Sequence, residues 1–157
     1  MKLLMFAGPG CVGKTTQLDG LVKKAQDNGK KVAFHKSSTR KSYIRAGLDK
    51  EASALGDPVF NQTFQDSVYE NNINELIKAI EQAKLDDIDL FITDRSPFDY
   101  IAYYFTVFEQ YLTIDKIEEK RDLVKKAMQT IYELNSDTQI VPFLYPVQWF
   151  GSVGAEH

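Results

Sequence analysis

The chain is poor in the residues that build special architectures. Of its 157 residues one is a cysteine, Cys11, so no internal disulfide can form and a disulfide scaffold is excluded. Five prolines and nine glycines are too few for a collagen-like or low-complexity chain. No apolar stretch approaches the roughly 18 residues of a membrane span. The longest N-terminal apolar run, Leu3 to Ala7, is too short for the core of a secretory leader. These absences lead to the expectation of a soluble protein in a reducing, cytoplasmic compartment with no membrane partner. The remaining composition, 43% hydrophobic and 26% charged, suits one globular domain over residues 1–157.

Charge is unevenly placed. The first 50 residues hold 11 Lys and Arg against 3 Asp and Glu, and the rest hold 8 against 19, for a net charge of −3. A basic first third points to an anionic ligand there, although a mixed solvated surface gives the same tally. The overall acidity argues against a dedicated nucleic-acid binder.

Hydrophobic patterning divides the chain into alternating elements. Lys2 to Ala7 reads as a buried strand, and Gly8 to Gly13 as a loop. Lys14 to Asp27 reads as a helix stopped by Asn28-Gly29. A second strand is expected over Lys31 to His35, and Tyr43 to Leu48 has the pattern of a short helix. Pro58 to Lys84 reads as a long helix, with a break at Asn71-Asn72 an open alternative. Leu90 to Thr93 is a third strand and Pro97 to Tyr111 an aromatic-rich helix. Thr113 is placed to cap a charged helix to about Leu134, and Thr138 to Tyr145 reads as a fourth strand containing Pro142. This alternation predicts an α/β fold, a doubly wound parallel sheet in three layers with about four to five strands. Ligands then belong at the carboxyl ends of the strands.

The most specific signal is Gly8-Pro9-Gly10-Cys11-Val12-Gly13-Lys14-Thr15, which fits G-x-x-x-x-G-K-[ST] between a strand and a helix. Glycines let the backbone curl so that successive N–H groups face phosphate oxygens. The following helix N-terminus favours an anion. Lys14 is expected on the β- and γ-phosphates, and the Thr15 hydroxyl on Mg²⁺. Gly8, Gly10, Cys11, Val12, Gly13 and Thr16 complete the expected ATP-binding set, with Cys11 a spacer in it.

Leu90-Phe91-Ile92-Thr93-Asp94 is an apolar strand closing on a carboxylate. Asp94 is therefore a second candidate for Mg²⁺, beside the phosphate loop. Arg95 cannot share a metal, so it is expected on a phosphate or carboxylate. Asp99 lies four residues on. It could orient Arg95 or take a proton from an acceptor hydroxyl, and an ordinary first-turn acid favoured by the helix dipole accounts for it as well. Lys14, Asp94, Arg95 and Asp99 form the candidate catalytic set.

The phosphate loop, Thr15-Thr16-Gln17 and Asp94-Arg95 together resemble the thymidylate-kinase-like branch of P-loop nucleotide kinases. The stretch from Asp94 to Tyr103 is similar to the D-R-x-x-x-D-x-x-A-Y pattern of small P-loop kinases, some encoded by phages, that include ribosylnicotinamide-kinase-like domains. The resemblance runs through about residue 145. It implies Gly13, Lys14, Thr15 and Thr16 on the donor phosphates, Asp94 near Mg²⁺ and Arg95 near the acceptor or the transferred phosphoryl. Basic residues after the second strand, Arg40 and Arg45, match the family loosely on the acceptor side. Phe64, Gln65 and Tyr69 could line an acceptor-base pocket, with helical core packing the competing role for such rings. One departure stands out. Such kinases usually carry an Arg-bearing lid and a fifth strand, whereas residues 127–157 contain no Lys or Arg. Lid and last strand are expected to be missing or divergent after about residue 146. A transition-state arginine would then be Arg95, Arg121 or another chain's. The resemblance also allows a homodimer with the aromatic stretch Tyr100 to Tyr111 as its face, and core packing accounts for those rings equally well.

These residues favour ATP- and Mg²⁺-dependent phosphoryl transfer to a nucleotide-like acceptor, either a nucleoside monophosphate or a nucleoside. No carboxylate lies between Val32 and Arg45, which tilts the choice toward an acceptor already carrying phosphate, because its oxygen needs no base. One alternative is a kinase acting on a hydroxyl of a modified base or an end in DNA, with the basic run His35 to Lys50 as its nucleic-acid surface. Another is a P-loop ATPase or switch that has no acceptor.

Overall fold

A computed structural model describes residues 1–8, 14–37, 58–107 and 112–142; for 58–65, 67, 103, 106 and 107 it describes the backbone alone. Among the described residues the chain forms β1 (Lys2–Ala7), α1 (Lys14–Asp27), β2 (Val32–His35) and α2 (Pro58–Leu85). Then follow β3 (Leu90–Thr93), α3 (Pro97–Val107), α4 (Ile114–Leu134) and β4 (Thr138–Pro142). The strands make one all-parallel sheet in the order β2-β3-β1-β4. Leu3 is level with Phe91 of β3 on one side and with Thr138 of β4 on the other.

The order constrains where the helices go. The connection from β1 to β2 passes over β3 in one direction, and that from β3 to β4 passes over β1 in the opposite one. Right-handed crossovers then place α1 on one face of the sheet and α2, α3 and α4 on the other. Contacts agree, since α2, α3 and α4 touch one another and α1 touches β2. The arrangement is an α/β fold compatible with three layers. Neighbouring strands β1 and β3 send their chains to opposite faces, so the crevice at their carboxyl ends is a topological switch point.

The core lies between the sheet and the helices α2 and α4. Leu3, Met5 and Phe91 meet Ile73, Leu76 and Ile80 of α2 and Val124, Met128 and Ile131 of α4. The spacing of those helical residues is the three-and-four pattern of one buried face. That burial explains why α2 runs unbroken through Asn71-Asn72. Asn72 is itself buried, and Val68, Ile73 and Leu76 on either side of it are held in the interior.

Local signals behave as their chemistry requires. Thr113 caps α4, its hydroxyl accepting from the Lys116 N–H at 3.3 Å. Gly29 ends α1 with φ of +75°, a conformation glycine adopts without strain. Pro142 lies in β4 at the margin of the described sheet, where a missing N–H is tolerated. The second strand begins at Val32 rather than Lys31, because the Lys31 N–H goes to Asp89 Oδ2 at 2.9 Å. The expected helix at Tyr43 to Leu48, the last residues of the aromatic helix, 108–111, and the end of the fourth strand, 143–145, lie outside the described residues, as does everything after them. No described helix is long and apolar enough to cross a membrane.

A charged group is buried within the helical layer as well. Lys120 of α4 donates to Asp66 of α2 and to Glu119 Oε1 at 3.1 Å, with its ammonium 4.9 Å from the centre of the Tyr104 ring. Burial disfavours that ammonium, but the hydrogen bonds and charges of Asp66 and Glu119 more than reverse this and leave its pKa raised.

Candidate functional site

The carboxyl ends of β1, β3 and β2 converge. Gly8, directly after β1, has φ of +153°, a region closed to most side chains. Its carbonyl oxygen accepts from two cations, Lys14 Nζ at 2.6 Å and Arg95 Nη1 at 2.9 Å. Lys14 comes from the first turn of α1 and is buried. Arg95 follows the carboxyl end of β3. Two positive charges therefore meet on one neutral oxygen, at the switch point and beside a helix N-terminus, an arrangement that attracts anions.

Asp99 ties this corner together. Its side chain is 5% exposed. One oxygen accepts from the Gly8 N–H at 2.7 Å and lies 3.6 Å from Arg95 Nη1. The other accepts from the Ser96 N–H and the Ser96 hydroxyl, both at 2.7 Å. A first-turn acid reaching back to the residue before the helix resembles a capping box. Here the same carboxylate also accepts from the end of β1 and lies 3.6 Å from Arg95, contacts that suit both the first-turn acid and the orienting role expected for it.

Asp94 faces the end of β2. Its Oδ1 accepts from the Ser37 N–H at 2.9 Å, and among the described residues Oδ2 has no hydrogen-bond partner. The Ser37 hydroxyl in turn accepts from the Tyr100 hydroxyl at 3.1 Å. Burial pushes the Tyr100 phenol up to about 12, with the carboxylates of Asp94 and Asp99 adding to the rise and the Ser37 hydrogen bond and Arg95 opposing it. Tyr100 therefore stays a donor at neutral pH. Its ring meets that of Tyr69 edge-on at 5.8 Å, a favoured aromatic geometry.

The structure thus brings together Gly8, Lys14, Asp94, Arg95 and Asp99, with Thr15 and Thr16 exposed on the first turn of α1. Tyr69 is in the core, 6% exposed, its phenol pushed up by burial and by Tyr100; it reaches the site only through Tyr100. Arg121 sits on α4 beside Asp122, at 3.6 Å, and lines an apolar groove of about 740 Å³ with Phe98 and Phe105. Gly10, Cys11, Val12, Gly13, Arg40 and Arg45 lie outside the described residues, as do the side chains of Phe64 and Gln65. Sequence reasoning gave no role at the site to Ser37, Ser96 or Tyr100, the last being read only as part of a dimer face or core. For Ser37 a signal existed: it lies two residues beyond β2, at the sheet edge where ligands are expected.

A Mg²⁺ ion carried on phosphates needs one or two protein oxygens and keeps several waters. The Asp94 carboxylate, held by one oxygen only, and the Thr15 hydroxyl are donors of that kind. Among the described residues no cluster of three or more His, Cys, Asp or Glu offers an all-protein metal site.

No family model and no curated protein sequence matches this chain.

Proposed function

We propose that the protein is an ATP-dependent phosphotransferase of the P-loop kinase type, a single three-layer doubly wound domain that transfers the γ-phosphoryl group of Mg²⁺-bound ATP to a nucleotide-like acceptor. The observation that carries this reading is the meeting of Lys14 and Arg95 on the Gly8 carbonyl, with Asp94 beside them. One cation follows the phosphate-loop sequence and the other follows β3, so an anion entering between them is gripped from the donor side and from the acceptor side.

In this mechanism Lys14 binds the β- and γ-phosphates, and the phosphate loop cradles the chain. Asp94 and Thr15 would hold Mg²⁺, which would supply charge neutralisation to the phosphates. An acceptor oxygen forms a bond to the γ-phosphorus while the bond to the β,γ-bridging oxygen breaks, and the electron pair leaves with ADP. Arg95 steadies the charge that spreads over the transferred group, for which its planar fork is suited. Asp99 keeps Arg95 aimed. A monophosphate acceptor brings an anionic oxygen and loses no proton, which suits a corner whose buried carboxylate already accepts three hydrogen bonds and lies beside Arg95.

The test is incubation with Mg²⁺ and γ-labelled ATP against nucleosides, nucleoside monophosphates, ribosylnicotinamide and DNA with normal or hydroxymethylated bases. Label in a monophosphate or nucleoside supports the proposal. Label in DNA moves the acceptor to nucleic acid. Label released only as free phosphate makes the protein an ATPase and overturns it.

A further inference from the structure

We infer that Tyr100 is a positioning residue for the metal-binding carboxylate, acting through Ser37. This rests on the nucleotide-binding reading above and goes beyond it by assigning function to two residues that no motif marks.

The Tyr100 hydroxyl donates to Ser37 Oγ at 3.1 Å, and the Ser37 N–H donates to Asp94 Oδ1 at 2.9 Å. Ser37 lies two residues beyond the end of β2, and among the described residues the β2–β3 register runs from Val32 to His35. A tether from α3 therefore helps set where its N–H points. Tyr100 is fixed at both ends of its side chain. Its ring lies edge-on to Tyr69, which is anchored in the core, and its backbone is in the first turn of α3 beside Asp99, whose carboxylate is hydrogen-bonded to Gly8 and Ser96. Rigidity thus passes from the core through Tyr100 and Ser37 to one oxygen of Asp94, and leaves Oδ2 to face a cation. Groups that orient a metal ligand in this way commonly change metal affinity 10- to 100-fold when removed. Tyr100 stands one step further out, so its loss should act more weakly.

Tyr100→Phe removes one hydroxyl and keeps the ring contact with Tyr69. Ser37→Ala removes the hydroxyl that Tyr100 bonds and keeps the N–H to Asp94. The test is Mn²⁺ binding, read by electron paramagnetic resonance in the presence of ADP, beside ADP binding in EDTA and a melting curve for each variant. Each single variant should weaken Mn²⁺ about 3- to 10-fold while metal-free ADP binding stays at the wild-type value, and the double variant should be no weaker than the weaker single. If the wild type binds Mn²⁺ with ADP but the variants bind it equally well, the positioning role is overturned and the nucleotide reading stands. Equal losses of Mn²⁺ and metal-free ADP, or losses that multiply in the double variant, also overturn it, since they indicate general loosening or separate actions. If the wild type binds neither ADP nor Mn²⁺, the nucleotide reading falls and this inference with it. Should one variant fail to fold, the other decides.

Discussion

Asp99 carries the densest set of contacts at the corner, and its removal can be worked through. The carboxylate accepts three hydrogen bonds at 2.7 Å and sits 3.6 Å from Arg95. Hydrogen bonds to a charged group contribute about 1.5–3 kcal/mol each, though not additively. The Ser96 hydroxyl can turn to water, and the Ser96 N–H behaves like a helix cap worth about 1 kcal/mol. The Gly8 N–H, in a partly buried corner, is orphaned at about 1–2 kcal/mol. Asp99→Ala should then destabilise by about 3 kcal/mol, which for a chain of this size lowers the melting temperature by about 6–12 °C. Asp99→Asn keeps one carbonyl oxygen but presents an NH₂ group to one set of donors, so it should lose roughly half as much. Thermal unfolding followed by far-UV circular dichroism measures both. Turnover of folded Asp99→Asn should fall with the pH–rate profile unchanged in shape. The bracing role is refuted if Asp99→Ala melts within about 1 °C of the wild type while its turnover is strongly reduced and the remaining activity loses the acidic limb of the pH–rate profile, because the carboxylate would then serve as a base and not as a brace.

Further outcomes follow from the same contacts. Lys14→Ala should nearly abolish phosphoryl transfer and ATP binding; normal turnover would remove the phosphate-loop assignment. Arg95→Lys should lower transfer more than ATP affinity, since a point charge cannot reproduce the fork, and equal losses in the two assays would move Arg95 to the donor side. Inorganic tripolyphosphate at 100 times its dissociation constant should stabilise by about 2.7 kcal/mol, seen as a rise in melting temperature that Lys14→Ala abolishes and sodium chloride of matched ionic strength does not give. Lys120→Met should destabilise by about 2 kcal/mol, less than the 3–5 typical of a broken buried pair, because Asp66 and Glu119 are 29% and 47% exposed and can rehydrate. The Lys120 pKa is raised on folding, so its contribution is complete below the ordinary lysine range and is lost as pH rises through the folded value. The variant should therefore show a flatter alkaline limb in chemical-denaturation stability.

Most element positions were legible because their signals are local. The strand before the glycine-rich segment 8–13, the helix after it, the Thr113 cap and the apolar run closing on Asp94 can each be read within a few residues. The open question at Asn71-Asn72 was decided by tertiary packing, since Asn72 and its apolar neighbours are held in the interior. The site was legible as a list of residue types and much less so as a set of contacts. The bonds that define it join Gly8 to Arg95 and Asp99, and Ser37 to Asp94 and Tyr100. These partners lie 57 to 91 positions apart in sequence, and nothing at one end of such a pair announces the other. Tyr69 shows the same limit from the opposite side. An aromatic residue on a long helix suits a base pocket or a core equally until the sheet order places that helix, and the structure puts it in the core.

The contacts at the corner bear on the proposed chemistry. Lys14 and Arg95 both bond Gly8 O, so their nitrogens lie within about 5.5 Å of each other; at an effective dielectric of about 20 their repulsion is roughly 3 kcal/mol. A neutral carbonyl offsets part of this and Asp99 another part, through Arg95. A phosphate chain would bring several anionic oxygens and could take over both cations at once. Asp99, whose bonds run to backbone and to Ser96 as well, would keep its place when they move. On this argument the cation pair is the element that responds to nucleotide and the first turn of α3 is the frame that does not. Substitutions at Lys14 and Arg95 should accordingly change binding and turnover with little effect on melting, whereas those at Asp99 should change both together.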